Sequence, residues 1–311
     1  MENEARKLVV TPVPHIHSQV TTKKIMRNVI IALIPALIAS TIIFGWYSLF
    51  IVLLTTASCV LCEYLWCKFH KKKQTTGDLS AIVTGILLAF NLPPTVPVYL
   101  PIIGAIVAII VTKELFGGIG CNFANPAIVG RITLAVSFPA LMTSYTYPAQ
   151  IVAVDALTSA TPLAVADQNL PLLTLLFGTH GGVIGETCAI ALIIGLIWLR
   201  ATGVIELTIP VVYVGCVAII SFICGKDPLT QVLSGGLLLG AIFMATDYTT
   251  SPFTRKGKII FAIGLALITC LIRFWGNMNE GVSYSILIMN LLVPFINNLT
   301  QKTPLGGEKK K

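Results

Sequence analysis

"LSAIVTGILLAFNLPP", residues Leu79 to Pro94, decides the fold. A helix needs about 20 apolar residues to cross a hydrocarbon layer about 30 Å thick, and this run meets Pro93 and Pro94 too early. It therefore reads as a broken span. A second stretch, "VLSGGLLLGAIFMATDYTTSP" from Val232 to Pro252, has the same build: a Leu-Ser start, glycines, a short apolar run and a polar breaker ending in proline. The surrounding chain of 311 residues is 55% hydrophobic and 11% charged, too apolar to fold around one soluble core. The expected class is an all-α polytopic membrane protein.

Apolar windows place ten spans near 25–44, 49–67, 79–92, 98–116, 124–142, 183–199, 204–224, 229–246, 258–275 and 282–299. The broken spans are the third and the eighth. Being five spans apart, they run in opposite directions, as in a five-plus-five inverted repeat whose broken helices meet near the midplane and frame a site. With the N-terminus inside, all but Lys226 and Arg273 of the 21 lysines and arginines fall on inner segments, which puts both termini in the cytoplasm. The expected organisation is an N-terminal arm over 1–24, a first five-helix repeat over 25–142, an extracytoplasmic loop over 143–182, a second repeat over 183–299 and a basic tail over 300–311.

The net charge of +8 is thereby accounted for by orientation, and no nucleic acid is expected as a partner. Lys71 to Lys73 read as an orientation signal that also suits anionic membrane lipid. The arm lacks the pattern of a cleaved secretory signal, so the first span is expected to stay. His15 and His17 lie in that arm without further ligands nearby, and no metal site is expected. Cys59 and Cys62 form a C-x-x-C on an apolar helix, where cysteine behaves as a small hydrophobe.

The loop from Thr143 to Gly182 holds the most polar interval, "DALTSATPLA" from Asp155 to Ala164. Thr161 before Pro162 can cap a helix whose first position proline occupies. The same geometry aims free backbone N–H groups and a positive dipole end at whatever Thr161 carries, an environment that suits a phosphate. Elsewhere, Asn122 and Asn125 in "FGGIGCNFANPA" can either hydrogen-bond a ring edge or cap the helix that Pro126 begins. Glu186 reads as a carboxylate at the start of the sixth span, stabilised by the helix N-terminus or serving as a cation or proton ligand. Asp247 ends the eighth span, where it either belongs to a site or caps the breaker.

The string from Asp155 through Thr158, Ser159 and Ala160 to Thr161 resembles the flavinylation motif D-x-x-[ST]-G-A-T, with Ser159 in the glycine position. In that motif the last threonine is joined through its hydroxyl to the phosphate of FMN by a separate flavin transferase. "PHIHSQVTTKKIMRNVIIALIPA", "KELFGGIGCNFANPAIVGR", "FGTHGGVIGETCAIAL" and "GAIFMATDYTTSP" are similar, in order, to the RnfD component of the Rnf electron-transport complexes, itself a homologue of a membrane component of the sodium-pumping NADH:quinone reductase.

The resemblance implies a bacterial cytoplasmic-membrane subunit of a ferredoxin:NAD oxidoreductase that carries covalent FMN and is coupled to sodium or proton movement. It also implies a second, non-covalent flavin, riboflavin or FMN, near the broken spans, and the other Rnf components, A, B, C, E and G, as partners. The chain is expected to work only as part of that enzyme, with no catalytic residue of its own. It has neither a G-x-G-x-x-G after a strand nor a ferredoxin-type cysteine set, so other chains must bind NAD and iron–sulfur clusters. The competing class is a solute transporter or channel without a redox cofactor, which an inverted repeat serves equally well.

Overall fold

The computed structural model describes residues 20–146, 158–159, 163, 171–276 and 281–301. The arm with His15 and His17, the basic tail and most of the loop around Thr161 lie outside the described residues. In the first half, α1 (Thr22–Phe44) and α2 (Trp46–Phe69) are joined at Gly45, and α3 (Ser80–Phe90) follows a short turn. After it come α4 (Tyr99–Ile106), continued by a π-helical stretch Val107–Glu114, then α5 (Pro126–Ser137) and α6 (Pro139–Met142). Two residue pairs, β1 (Tyr145–Thr146) and β2 (Thr158–Ser159), form a short antiparallel ladder. The second half has α7 (Leu172–Phe177), α8 (Ala189–Ala201), α9 (Thr208–Ile223), α10 (Pro228–Leu233), α11 (Leu237–Leu239) with a π-helical stretch Gly240–Met244, α12 (Arg255–Trp275) and α13 (Val282–Thr300).

Of these, α1, α2, α12 and α13 are each long and apolar enough to cross a membrane, and α3, α5, α8 and α9 are shorter apolar helices. At about 1.5 Å per residue, α1 with its 23 residues spans roughly 35 Å, whereas α3 with 11 reaches only about half the hydrocarbon depth. Each of the ten expected spans contains helix, the sixth and the eighth only in part. The face on which α1 begins is called the near face below, and the opposite one the far face.

The two halves correspond as an inverted repeat requires. Contacts between halves join like with like, α1 (span one) to α8 (span six) and α5 (span five) to α13 (span ten). Each broken helix starts behind a left-handed residue: Leu79 at φ 68°, ψ 5° before α3, and Gly236 at φ 69°, ψ 8° before α11. Glycine takes this conformation without steric cost, while leucine does not. Asp78 secures the leucine turn by accepting hydrogen bonds from Ser80 N–H at 2.8 Å and from the Ser80 hydroxyl at 2.6 Å. Each turn is also held by a basic residue near the end of its repeat's fourth span. Lys113 donates to Ser80 Oγ at 2.7 Å, and Arg273 donates to the carbonyls of Ser234 at 3.3 Å and Gly235 at 2.9 Å.

One expected boundary is corrected. The sixth span does not begin at 183; the helix starts at Ala189, and residues 183–188 enter the core as irregular chain. Their backbone is needed elsewhere: Ile184 N–H donates to Leu92 O at 3.0 Å and Gly185 N–H to Phe90 O at 2.9 Å, at the broken end of α3.

The halves meet closely at α1 and α8, where a Cβ on Gly195 would stand 2.5 Å from Ala32 O and 2.8 Å from Phe243 Cζ. Small residues let such helices approach in lipid. Gly195→Val is expected to lower the thermal unfolding midpoint clearly, at a cost of about 1–3 kcal/mol or more from overpacking. Gly215→Val on α9, where nothing lies within 4 Å of the added carbon, is the control and should change little. Equal melting of the two variants would contradict the packing.

Candidate functional site

Near the near face, α1, α3, α8 and the stretch after α11 line an open pocket with a cavity volume of about 100 Å³. Its walls are mostly apolar, with Val83, Leu87, Ile205 and Phe243 among them, and Asn122, Asn125, Asp247 and Thr249 supply polar groups. Asn125 caps α5 by accepting from Ala127 N–H at 3.1 Å, and its amide donates to Met244 O at 3.4 Å. Asn122 donates to Ala124 O at 3.1 Å and to Thr249 Oγ1 at 3.3 Å. Asp247 Oδ2 accepts from the hydroxyls of Thr249 at 2.9 Å and Thr250 at 3.3 Å. Each of these residues fixes a local turn, and the turns form one wall of the pocket.

Gly240 does not belong to that wall. A Cβ there would meet Val282 Cγ1 at 2.5 Å, so bulk at this position displaces α13 rather than a ligand.

A charged cluster adjoins the pocket through Lys113, whose ammonium lies 3.0 Å from Glu63 Oε1 and 4.0 Å from Glu114 Oε1. Thr75 donates its hydroxyl to Glu63 Oε1 as well. Glu63, Lys113 and Glu114 are all buried, and the π-helical stretch sets the last two on adjacent positions facing inward. Counting Lys113 as a free inner-face charge is thus corrected: its charge is matched inside the protein.

A second charged cluster occupies the broken ends. Arg131, in the middle of α5, donates through Nη1 to Asn91 Oδ1 at 2.7 Å, Ser283 Oγ at 2.8 Å and Glu186 Oε1 at 3.4 Å. Arg131 and Glu186 are 5% and 6% exposed, so this is a buried ion pair and not an inner-loop charge. Glu186 does not start the sixth helix, which begins three residues later. Its carboxylate instead lies against the start of α11, where a Cβ on Gly236 would collide with Oε1. Each charge is opposite to the partial charge of the helix end beside it, Arg131 at the carbonyl end of α3 and Glu186 at the N–H end of α11.

The far-face loop reaches this cluster. Tyr145 is buried, within electrostatic reach of both Arg131 and Glu186, and pairs in the ladder with Ser159, while Thr146 pairs with Thr158. Leu163 packs over the other break, its Cδ1 filling the space that a Cβ on Gly235 would need. Asp155, Ala160 and Thr161 lie outside the described residues. The structure thus brings Asn122, Asn125 and Asp247 together and sets Glu186 apart, at the start of α11. Arg131, Asn91, Ser283, Tyr145, Glu63 and Glu114 were not singled out from the sequence. An ionisable residue within an apolar span was the available signal for Arg131 and Glu63.

An inverted repeat with a mostly apolar pocket toward one face and a charged seam between its broken helices defines an integral membrane subunit of the transport or redox type. The chain belongs to the NQR2, RnfD, RnfE family, whose model matches residues 9–306. It is 45% identical to the D component of the Na(+)-translocating ferredoxin:NAD(+) oxidoreductase complex of Acetobacterium woodii, over 98% of this chain and 97% of that one. It is 38% identical, over 95% of each chain, to the D component of the proton-translocating ferredoxin:NAD(+) oxidoreductase complex of Clostridium ljungdahlii. Against the D component of the ion-translocating oxidoreductase complex of Stutzerimonas stutzeri the identity is 34%, over 91% and 92% of the two chains. These homologues are subunits of an oxidoreductase.

The Lys113 cluster makes a direct prediction. Lys113→Met leaves Glu63 buried without its cation and should destabilise by about 3–5 kcal/mol. Combining it with Glu63→Leu removes both charges and should recover most of the loss, read as a double-mutant cycle on thermal unfolding. Additive losses would show that the pair is not coupled.

Proposed function

We propose that this chain is the membrane subunit of an ion-translocating ferredoxin:NAD+ oxidoreductase, carries FMN on Thr161, and relays electrons between that loop and the near-face pocket. The observation that carries the reading is the placement of the motif's neighbours. Ser159 is paired with Tyr145, and Leu163 is packed on Gly235 at the start of α11, so a described residue on each side of Thr161 is anchored in the fold. FMN, once attached, would supply reversible electron carriage. The protein's part is to anchor the loop, exclude water beneath it and present fixed charges. On this reading the near face is cytoplasmic, a flavin transferase matures the far-face loop, and the A, B, C, E and G components of the complex carry the remaining cofactors.

Thr161→Ala should abolish flavin fluorescence that stays with the denatured chain on a gel, while Thr158→Ala should retain at least part of it. Fluorescence on the unmodified chain is the first requirement, and its absence in cells with an active transferase favours the transporter class.

The pocket is proposed to hold a second, non-covalent flavin. The residues fit: apolar walls suit a ring face, and the turn formed by Asn122 and Asp247 offers polar atoms to a ring edge. Asn122→Leu or Asp247→Asn should lower the flavin released on denaturing the purified complex, with attachment at Thr161 unchanged. Undiminished release from intact complex would remove the flavin from this pocket. Glu186 and Asp247 are proposed for the ion path, one at the seam and one at the pocket. The relatives from Acetobacterium woodii and Clostridium ljungdahlii carry different cations in their names, sodium in the first and the proton in the second.

A further inference from the structure

The near face carries its charge unevenly. In the second repeat Lys258 is paired with Glu206 at 2.8 Å, and Glu206 is the only exposed carboxylate on that face among the described residues. In the first repeat Lys23, Arg27, Lys68, Lys71, Lys72 and Lys73 are all exposed, and none of them is in an ion pair among the described residues. Asp78, half-buried near them, already accepts from Ser80. The fold brings these basic groups to one corner. Gly45 turns the chain at the far face, so α1 begins where α2 ends, and α1 packs against both α2 and the turn Thr76–Asp78 beyond it.

Membrane orientation accounts for the sign of these charges but not for their placement. Lys23 and Arg27 continue, at helical spacing, the stripe of α1 on which Ile34, Ile38 and Ile42 stand exposed. Lys68 does the same for the exposed stripe of α2 formed by Leu61 and Tyr64, and its ammonium lies 6.0 Å from the centre of the Tyr64 ring. Each helix thus passes from a lipid-facing apolar stripe directly into basic side chains. Beyond α2, Lys71 has a left-handed backbone at φ 50°, a conformation that glycine takes without steric cost. Lys72 N–H donates to Cys67 O at 2.9 Å, which folds the lysine run back onto the helix end.

We propose that the near-face ends of α1 and α2 bind the headgroup of an anionic phospholipid, with Lys23 and Arg27 on one helix and Lys68 and Lys71 on the other facing its phosphate. Clusters of basic residues immediately outside a span attract anionic lipid, each residue contributing about fivefold to binding. The stripes beneath choose lipid over a soluble acidic partner. A headgroup at this level has its acyl chains against Ile34 and Leu61, apolar surface that an acidic protein outside the membrane would leave unused.

The test is crosslinking of phosphatidylglycerol with a photoreactive acyl chain to the purified, delipidated complex, mapped by peptide mass spectrometry. Crosslinks should fall on α1 and α2. Unlabelled phosphatidylglycerol should compete, phosphatidylcholine and inorganic phosphate should not, and about 1 M salt, where the screening length is about 3 Å, should weaken the labelling. Lys23→Gln with Arg27→Gln, or Lys68→Gln with Lys71→Gln, should each raise the lipid concentration needed by roughly 25-fold. Arg255→Gln with Lys256→Gln, which removes two exposed charges from the same face of the second repeat, should leave it nearly unchanged.

Equal competition by phosphatidylcholine overturns the proposal, because the surface then prefers no headgroup. Full competition by inorganic phosphate overturns it in favour of a simple anion site, and an equal loss in the control variant reduces it to net charge. Absence of crosslinks on α1 and α2 in the intact complex would show another subunit covering this corner. Should a variant fail to assemble, competition and salt dependence on the unmodified complex decide without it.

Discussion

Interrupted helices leave backbone polar groups inside the membrane, and the rest of this structure is arranged to satisfy them. No lipid can hydrogen-bond a free carbonyl or N–H, so irregular chain at that depth survives only where protein covers it. Residues 184–186 do most of the covering. Two of their N–H groups close the end of α3, and the next side chain, Glu186, faces the start of α11. The cost appears in the sixth span, which loses its expected first turn so that this segment can form an irregular turn against α3. Arg131 then neutralises Glu186 while reaching Asn91 at the end of α3.

The same logic is repeated at the starts of the broken helices. Lys113 and Arg273 come from equivalent positions in the two repeats and hold equivalent turns, one through a serine hydroxyl and the other through backbone carbonyls. Their chemistry differs because the neighbours do: Lys113 has Glu63 beside it, whereas Arg273 meets the open carbonyls left by α10. A guanidinium can span several carbonyls at once, while an ammonium suits a compact set of oxygens.

This arrangement also gives the proposed electron path its two ends. The near-face pocket and the seam between the broken helices are joined through Asn125, Met244, Asn91 and Arg131, residues already in contact for structural reasons. A redox subunit and a transporter can therefore share this scaffold, and what distinguishes them is the group held at its ends. The family relationship favours the redox member.

Much of the architecture was legible in the sequence. Ten apolar runs, two of them cut short by proline or polar residues, fixed the helices and the opposite sense of spans three and eight, because lipid permits only helices to span. The motif around Thr161, and the polar groups Asn122, Asn125 and Asp247, were visible as departures from apolar pattern. What the sequence left open was which charges lie inside. Lys113 and Arg131 count there as inner-face charges and Arg273 as an outer exception, since a linear map records only the side of the membrane to which a basic residue is assigned. Their partners, Glu63, Glu186 and the carbonyls of Ser234 and Gly235, come from spans distant in sequence. Only the tertiary structure brings them within hydrogen-bonding range, because burying a charge is tolerable only after several helices have closed around it.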